Sequence, residues 1–142
     1  VTVVPSTTKA EELIKMNPTI MLVEDEAQQR NALALMFEAE GYTVLAADSA
    51  EAGAQQIQRT VPDMIVTDVK LPGIDGFTFF DHVRQQPSCE HVPFIFITGY
   101  NDPLAIESVK KLGAAGYVTK PYDLENLITL VKKHLPPQKI QF

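Results

Sequence analysis

Five polar residues directly follow short apolar runs, where their side chains could take part in chemistry. Glu24 and Asp25 follow the first run, and Asp68 follows a later one. Thr98 and Lys120 follow two more. If these runs are neighbouring parallel strands, their carboxyl ends meet at one edge of a sheet, where ligands usually bind. The sequence would then gather three carboxylates, a hydroxyl and an ammonium group.

Clustered carboxylates repel one another, so at neutral pH they require a counter-charge or a raised pKa. A hard divalent cation meets this need, and a site of oxygen ligands alone favours Mg²⁺, with Mn²⁺ able to substitute. An aspartate beside such a cation can attack a phosphoryl group and form an aspartyl phosphate. A lysine would balance the charge of that group, and a threonine hydroxyl could hydrogen-bond one of its oxygens.

The elements that must position these residues alternate between two patterns from Thr19 onward. Three of five short apolar runs are almost continuously apolar, as strands buried on both faces are. Between the runs, apolar residues recur at helical spacing. The predicted strands span residues 20–23, 42–46, 64–67, 94–97 and 116–119.

Five helices are predicted between and after these strands, and the second is expected to run from about residue 50 to 59. Gly41 and Gly113 stand at the ends of the first and fourth, where a left-handed C-cap favours glycine. The residues expected to face inward are Leu33, Met36, Phe37, Ala54, Ile57, Phe77, Phe80, Val83, Ala105, Val109, Leu112, Leu124, Leu127, Ile128, Val131 and Leu135. Repeated strand–helix units predict an α/β fold with a parallel sheet, because each return needs a right-handed crossover.

Four stretches of the sequence together resemble the receiver domains of two-component response regulators. They are residues 20–26 (IMLVEDE), 68–76 (DVKLPGIDG), 97–99 (ITG) and 113–122 (GAAGYVTKPY). The resemblance extends from about Thr19 to Leu135, over four-fifths of the chain. It implies a flavodoxin-like, doubly wound sheet of five parallel strands in the order 2-1-3-4-5, with five helices.

Carried over position by position, the resemblance assigns Asp68 as the phosphoacceptor. Glu24 and Asp25 match the acidic pair that holds Mg²⁺ directly or through water. The backbone carbonyl of Lys70 matches a further metal ligand. The pair Glu-Asp differs mildly from Asp-Asp, which is also common in the family.

The same resemblance assigns a switch. Thr98 and Lys120 match the hydroxyl and ammonium groups that contact the phosphoryl group, and Tyr117 matches the aromatic switch position. The Lys120–Pro121 bond matches one that is typically cis. On phosphorylation Thr98 would move toward the phosphoryl group, and Tyr117 would rotate into the vacated space. The surface of the fourth helix, fifth strand and fifth helix would then change shape and could bind an output domain or a second copy of the chain. Without the resemblance, Tyr117 would be read as a half-buried strand aromatic with a wet hydroxyl.

Two further residues bear on the lifetime of the phosphorylated state. Lys70 and Tyr100 lie two residues past Asp68 and two past Thr98. Both side chains could overhang an acyl phosphate and hinder an attacking water. We therefore expect a longer lifetime than in receivers with small or acidic groups there, unless both side chains point to solvent.

Three other functions fit the sequence less well. A haloacid-dehalogenase-type phosphatase needs a second acid two residues after its nucleophile, where this chain has Lys70, and its nucleophile follows the first strand. A flavin-binding electron carrier would place a hydroxyl-rich phosphate loop where Glu24 and Asp25 stand. A degenerate receiver that only binds partners conflicts with a full set of chemical positions. The predicted function is therefore signalling, not enzymatic: the domain accepts a phosphoryl group from a histidine kinase or phosphotransfer protein.

Composition sets the remaining expectations. The 142 residues suit one domain, and the net charge of −6 argues against direct binding to nucleic acid. No apolar run approaches the ~18 residues of a membrane span. The single cysteine, Cys89, offers no disulfide framework, which favours the cytoplasm.

We expect a receiver domain over residues 18–136, a leader or linker over 1–17 and a tail over 137–142. A capping box at 8–11 could open a short helix to about Met16, although a linker is favoured. The chain does not begin with Met. Together with the leader, this favours a piece cut from a longer protein over a single-domain regulator.

Overall fold

The computed structural model describes residues 17–137, and within them five parallel strands form one sheet in the order β2-β1-β3-β4-β5. The strands are β1 (Thr19–Val23), β2 (Thr43–Ala47), β3 (Met64–Asp68), β4 (Phe94–Gly99) and β5 (Gly116–Lys120). This confirms the predicted doubly wound, flavodoxin-like sheet. The expected leader and tail lie outside the described residues, apart from Asn17 and Pro137.

Within the same part of the chain, five α-helices connect and follow the strands. They are α1 (Ala27–Ala39), α2 (Ala50–Ile57), α3 (Gly76–Arg84), α4 (Pro103–Lys111) and α5 (Leu124–His134). Four of them begin with a side chain that accepts a hydrogen bond from a first-turn N–H: Ser49 for α2, Asp75 for α3, Asp102 for α4 and Asp123 for α5. Gly41 and Gly113 follow α1 and α4 with φ of 100° and 72°, as their C-cap positions predict.

The two faces of the sheet carry separate apolar layers. Alternate residues of β1 enter them, because strand side chains alternate between faces: Met21 belongs to the layer that includes residues of α2, α3 and α4, and Leu22 to the layer that includes residues of α1 and α5. Most of the predicted inward residues lie in these layers. Leu124 and Ile128 do not: Leu124 is 49% exposed, since it lies in the first turn of α5 beside the rim of the sheet, and Ile128 is half-buried.

One buried aromatic was not predicted. Phe79 is 1% exposed and its ring fills the space over Gly53 of α2, where a Cβ atom would lie 3.1 Å from the ring. Phe77, which was predicted to face inward, is only half-buried. Helical spacing alone is compatible with an inward side chain at either Phe77 or Phe79. The space that favours Phe79 is left by Gly53, which lies on a different helix.

The α1–α5 face is tied together by polar contacts. Tyr42 donates its hydroxyl hydrogen to the carbonyl oxygen of Leu135. Lys132 on α5 places its Nζ 2.6 Å from Oε2 of Glu40 at the end of α1. Among the helices of residues 17–137, none combines the length and the apolar character needed to cross a membrane.

Candidate functional site

The two central strands bring Glu24 and Asp68 together at the carboxyl edge of the sheet. Val23 of β1 is in register with Thr67 of β3, so the next residue of each strand stands side by side. Glu24 is 0% exposed and Asp68 is 3% exposed. Asp25 is exposed, but one carboxylate oxygen from each of these three residues lies within 4.8 Å of the others. We call Glu24, Asp25 and Asp68 the acidic pocket.

The loop that carries the first two acids is held by groups that the sequence did not single out. Arg30 donates from Nη1 to the carbonyl oxygens of Glu24, at 2.9 Å, and Asp25, at 3.3 Å. The backbone N–H of Glu26 donates to Oε2 of Glu24 at 3.2 Å. Arg30 lies in the first turn of α1, so its side chain can extend back to the loop before the helix. Its position five and six residues after the two acids was the only sequence signal for this role.

Lys120 supplies the positive charge. Its Nζ lies 3.4 Å from Oδ2 of Asp68 and 3.6 Å from Oε1 of Glu24. The register of β4 and β5 sets this approach, because Lys120 is the partner of Gly99 at the end of both strands. One ammonium group therefore faces two buried carboxyl groups.

Burial raises the pKa of Asp68 to about 8, and the neighbouring Glu24 adds to the rise while Lys120 opposes it. Burial also works against ionisation of Glu24. For that group, the neighbouring Asp68 carboxyl group, the hydrogen bond from the Glu26 N–H and the charge of Lys120 together outweigh burial and lower the pKa. Burial opposes the charge of Lys120 too, but Asp68 and Glu24 together raise its pKa. The single ammonium group of Lys120 is therefore too little positive charge to balance two ionised carboxylates.

Two buried carboxylate oxygens of the pocket lack a hydrogen-bond partner and fit a cation. Within residues 17–137, Oε1 of Glu24 and Oδ1 of Asp68 are the buried side-chain polar atoms that find no hydrogen-bond partner. Such atoms are rare in folded proteins and call for an explanation. Both are carboxylate oxygens, and with Asp25 they make an oxygen-only donor set of the kind that hard divalent cations prefer.

A cavity of about 170 Å³ opens beside the Asp68 carboxyl group. It is lined by Asp68, Lys70, Ile97, Thr98, Gly99 and Lys120. Its volume is several times the ~30 Å³ that one water molecule occupies in the liquid. The cavity is therefore large enough for a phosphoryl group.

Of the other predicted site residues, some line this cavity and others do not. Thr98 is 4% exposed and lines it, as does Lys70. Tyr100 is 71% exposed and is not among the lining residues. Tyr117 is half-buried on β5, and Nζ of Lys110 on α4 lies 6.0 Å from its ring centroid. The Lys120–Pro121 peptide bond is cis, as the resemblance implied.

Two more residues shape the site without having been predicted to do so. A Cβ atom on Gly76 would lie 2.3 Å from the carbonyl oxygen of Asp68, so only glycine lets α3 begin this close to Asp68. Tyr122 accepts a hydrogen bond at 2.5 Å from Nε2 of Gln29, which ties the β5–α5 loop to α1. Gly76 meets a residue of its own motif, whereas Tyr122 is held by Gln29, a partner distant along the chain.

Residues 20–132 match the family model described as the response regulator receiver domain. This chain belongs to the response regulator receiver family. Receiver domains are signalling phosphoacceptors that act with histidine kinases or phosphotransfer proteins and bind Mg²⁺ at an acidic pocket.

Similar proteins place this receiver domain among response regulators. It is 31% identical over 121 residues to sporulation initiation phosphotransferase F of Bacillus subtilis, covering 85% of this chain and 96% of that protein. It is 38% identical over 104 residues to the transcriptional regulatory protein AfsQ1 of Streptomyces coelicolor, covering 73% of this chain but 45% of that protein. The high-resolution structure of the chemotaxis response regulator CheY4 of Vibrio cholerae superposes with a TM-score of 0.76 at 26% identity, covering 83% of this chain and 98% of that one.

Proposed function

We propose that this receiver domain accepts a phosphoryl group onto Asp68 from a phosphohistidine of a sensor kinase or phosphotransfer protein, in a Mg²⁺-dependent reaction. One observation carries the proposal. The Asp68 carboxyl group is buried between Glu24 and Lys120 and faces a cavity of about 170 Å³. A carboxylate with acidic neighbours, an ammonium group and space for a phosphoryl group is equipped to act as a nucleophile.

In the proposed reaction, an Oδ atom of Asp68 attacks the phosphorus of the donor. The new O–P bond forms as the P–N bond to the imidazole breaks, and the freed imidazole nitrogen takes up a proton from solvent. Lys120, 3.4 Å from Oδ2, balances the charge of the transferring group. Thr98, which lines the same cavity, donates its hydroxyl hydrogen to a phosphoryl oxygen.

The acidic pocket and the backbone carbonyl of Lys70 would hold the cation. A bound Mg²⁺ would neutralise charge on the carboxylates and on the phosphoryl group. Support comes from the two buried oxygens of Glu24 and Asp68 that have no hydrogen-bond partner, and from the pKa of Asp68, which burial and the neighbouring Glu24 raise and which a bound cation would lower. Mn²⁺ takes the same oxygen ligands, so we propose that it can substitute.

The proposed output is a change in the switch surface, which we define as α4, β5 and α5. Thr98 would move toward the phosphoryl group, and Tyr117 would rotate toward the space that it leaves. All residues of β5 are half-buried, so the strand is less tightly enclosed than β3, where all are buried. An output domain or a second copy of the chain would recognise the changed surface.

Two finer proposals concern lifetime and setting. Lys70 lines the cavity and is placed to hinder an attacking water, whereas Tyr100 would have to reorient to do so. We therefore assign the larger share of any long lifetime to Lys70.

The receiver unit is proposed to span residues 18–136 and to work in the cytoplasm, where the buried Cys89 stays a free thiol.

Intact-mass measurement after incubation with acetyl phosphate and Mg²⁺ tests this function. We expect a gain of one phosphoryl group, which an Asp68→Asn variant and an EDTA control should both lack. No gain with acetyl phosphate, followed by no gain with a phosphorylated histidine phosphotransfer protein, would indicate a domain that only binds partners. An equal gain in the Asp68→Asn variant would place the phosphoryl group elsewhere.

A further inference from the structure

The loop between β3 and α3 carries a proposed cation ligand, the backbone carbonyl of Lys70. Hydrogen bonds fix the base of this loop at Val69: its N–H donates to the carbonyl of Ile97 at 2.9 Å, and its own carbonyl accepts from the N–H of Gly76 at 2.8 Å. Lys70 is the next residue. The far side of the loop must be held by other means if the Lys70 carbonyl is to keep one direction.

A side chain from a different helix reaches the far side of the loop. Oε1 of Glu51, in the first turn of α2, accepts a hydrogen bond at 3.2 Å from the backbone N–H of Ile74. The start of α2 is itself fixed, because Oγ of Ser49 accepts from the N–H of Ala52 at 3.1 Å. Glu51 thus extends from a capped helix to a loop 23 residues further along the chain.

The loop is shaped to receive this carboxylate. Gly73 has a φ of +78°, which glycine adopts without strain. A Cβ atom there would lie 2.9 Å from Oε2 of Glu51, so the absence of a side chain leaves the carboxylate room over the loop. On the other side, Leu71 and Ile74 pack against the apolar layer formed with α2, α3 and α4.

We propose that Glu51 is a positioning residue for the cation site: its carboxylate holds the Ile74 N–H and thereby keeps the loop, and the Lys70 carbonyl within it, in the ligating conformation. This inference rests on the proposed function, which makes that carbonyl a ligand. A ligand that is already held in place costs less conformational entropy when the cation binds. Glu51 acts through the loop and is not itself a ligand.

Three substitutions separate the hydrogen bond from the charge of Glu51. Glu51→Ala removes both, Glu51→Asp keeps the charge on a side chain one methylene shorter, and Glu51→Gln keeps the acceptor without the charge. We expect the dissociation constant for Mg²⁺, measured by calorimetric titration, to rise about 3- to 10-fold for Ala and Asp and less than about 2-fold for Gln. Amide exchange of Ile74, measured by NMR without Mg²⁺, should speed up in the Ala and Asp variants alone.

Several results would overturn the proposal. If Ala and Gln weaken Mg²⁺ binding equally while Asp does not, Glu51 acts only through its charge. If none of the three changes binding, or if Ile74 exchange stays at the wild-type rate in Glu51→Ala, the loop is held without Glu51. Failure of the proposed function gives a different pattern: wild type would not bind Mg²⁺, or Asp68→Asn would bind it as tightly as wild type. The inference about Glu51 would then fall too, even with altered Ile74 exchange.

Discussion

The centre of the sheet and its β5 edge are built differently. All residues of β3 and four of the five in β1 are buried, whereas all residues of β5 are half-buried. The centre carries Glu24 and Asp68, and the edge carries Tyr117 and Lys120. A central strand has neighbours on both sides and helices on both faces, so it can hold two carboxyl groups in a fixed relation. The edge strand has fewer restraints and is the part better able to change.

Lys120 connects these two regions. Burying carboxyl groups is costly unless they are paired, and the pairing charge here comes from the edge strand, 3.4 Å from Asp68 and 3.6 Å from Glu24. A change of charge at Asp68 therefore alters the electrostatic interaction that holds Lys120, the last residue of β5. In the proposed function, the centre would accept the phosphoryl group and the β5 edge would change shape in response.

Removing the connecting charge should have the largest effect. A Lys120→Met variant leaves Asp68 and Glu24 without their ammonium partner, and we expect phosphorylation by acetyl phosphate to slow on the order of 100-fold. Intact-mass time courses would measure the rate. The matched control is Lys111→Met, because the Lys111 side chain is 76% exposed and pairs with Glu107 instead. Equal rates for Lys120→Met and wild type would remove Lys120 from the chemistry.

The two regions should also differ in their tolerance of a single methyl group. At Gly76 a Cβ atom would lie 2.3 Å from the carbonyl oxygen of Asp68, and backbone there cannot yield, so Gly76→Ala should lower the free energy of unfolding by about 3 kcal/mol. At Gly113, before β5, space is open and only the φ of +72° opposes a side chain, so Gly113→Ala should cost about 1 kcal/mol. Urea titrations would measure both. A reversed order would contradict the contrast between centre and edge.

Cation binding should stabilise the centre. At about 100 times its dissociation constant, Mg²⁺ should raise the free energy of unfolding by about 2.7 kcal/mol, because it binds the folded state. Asp25→Asn should lose most of this gain, since Asp25 is exposed and contributes a carboxylate to the pocket without supporting the core. Asp81→Asn, an exposed change on α3, serves as the control. Thermal melts with Mg²⁺ and with EDTA measure the gain, and an equal gain in all three proteins would place the cation elsewhere.

A smaller effect is expected beside β2, at the opposite edge of the sheet. Burial, with a contribution from Glu40, raises the pKa of Tyr42 to about 12 from 10.0. Because the folded-state pKa is the higher one, the stability contributed by the neutral hydroxyl is complete below pH 10 and is lost as pH rises to about 12. Tyr42→Phe should cost about 1 kcal/mol at neutral pH, through loss of the bond to Leu135, and this deficit should shrink across that range.

Urea titrations at several pH values would measure this effect. Tyr100→Phe is the control, because Tyr100 is 71% exposed and its substitution should cost little at any pH. A constant deficit for Tyr42→Phe between pH 10 and 12 would contradict the account of Tyr42.

The sequence predicted the strands, the helices and the glycine caps because each leaves a local pattern. The strand ends then placed Glu24, Asp68 and Lys120 at one edge without any knowledge of side-chain positions. Gly76 and Glu51 were missed because each meets backbone from another segment, and such contacts have no period in the sequence. Arg30 and Phe79 were missed for a related reason: spacing alone does not say which of several side chains on a helix finds a partner.

The most direct test of the account is to locate the phosphoryl group. After incubation with acetyl phosphate and Mg²⁺, borohydride reduces an aspartyl phosphate to homoserine, and peptide mass mapping identifies the converted residue. The account predicts conversion at Asp68 alone, in the centre of the sheet, and none when EDTA is present. Conversion at Asp25 or at another carboxylate, with Asp68 unchanged, would contradict it.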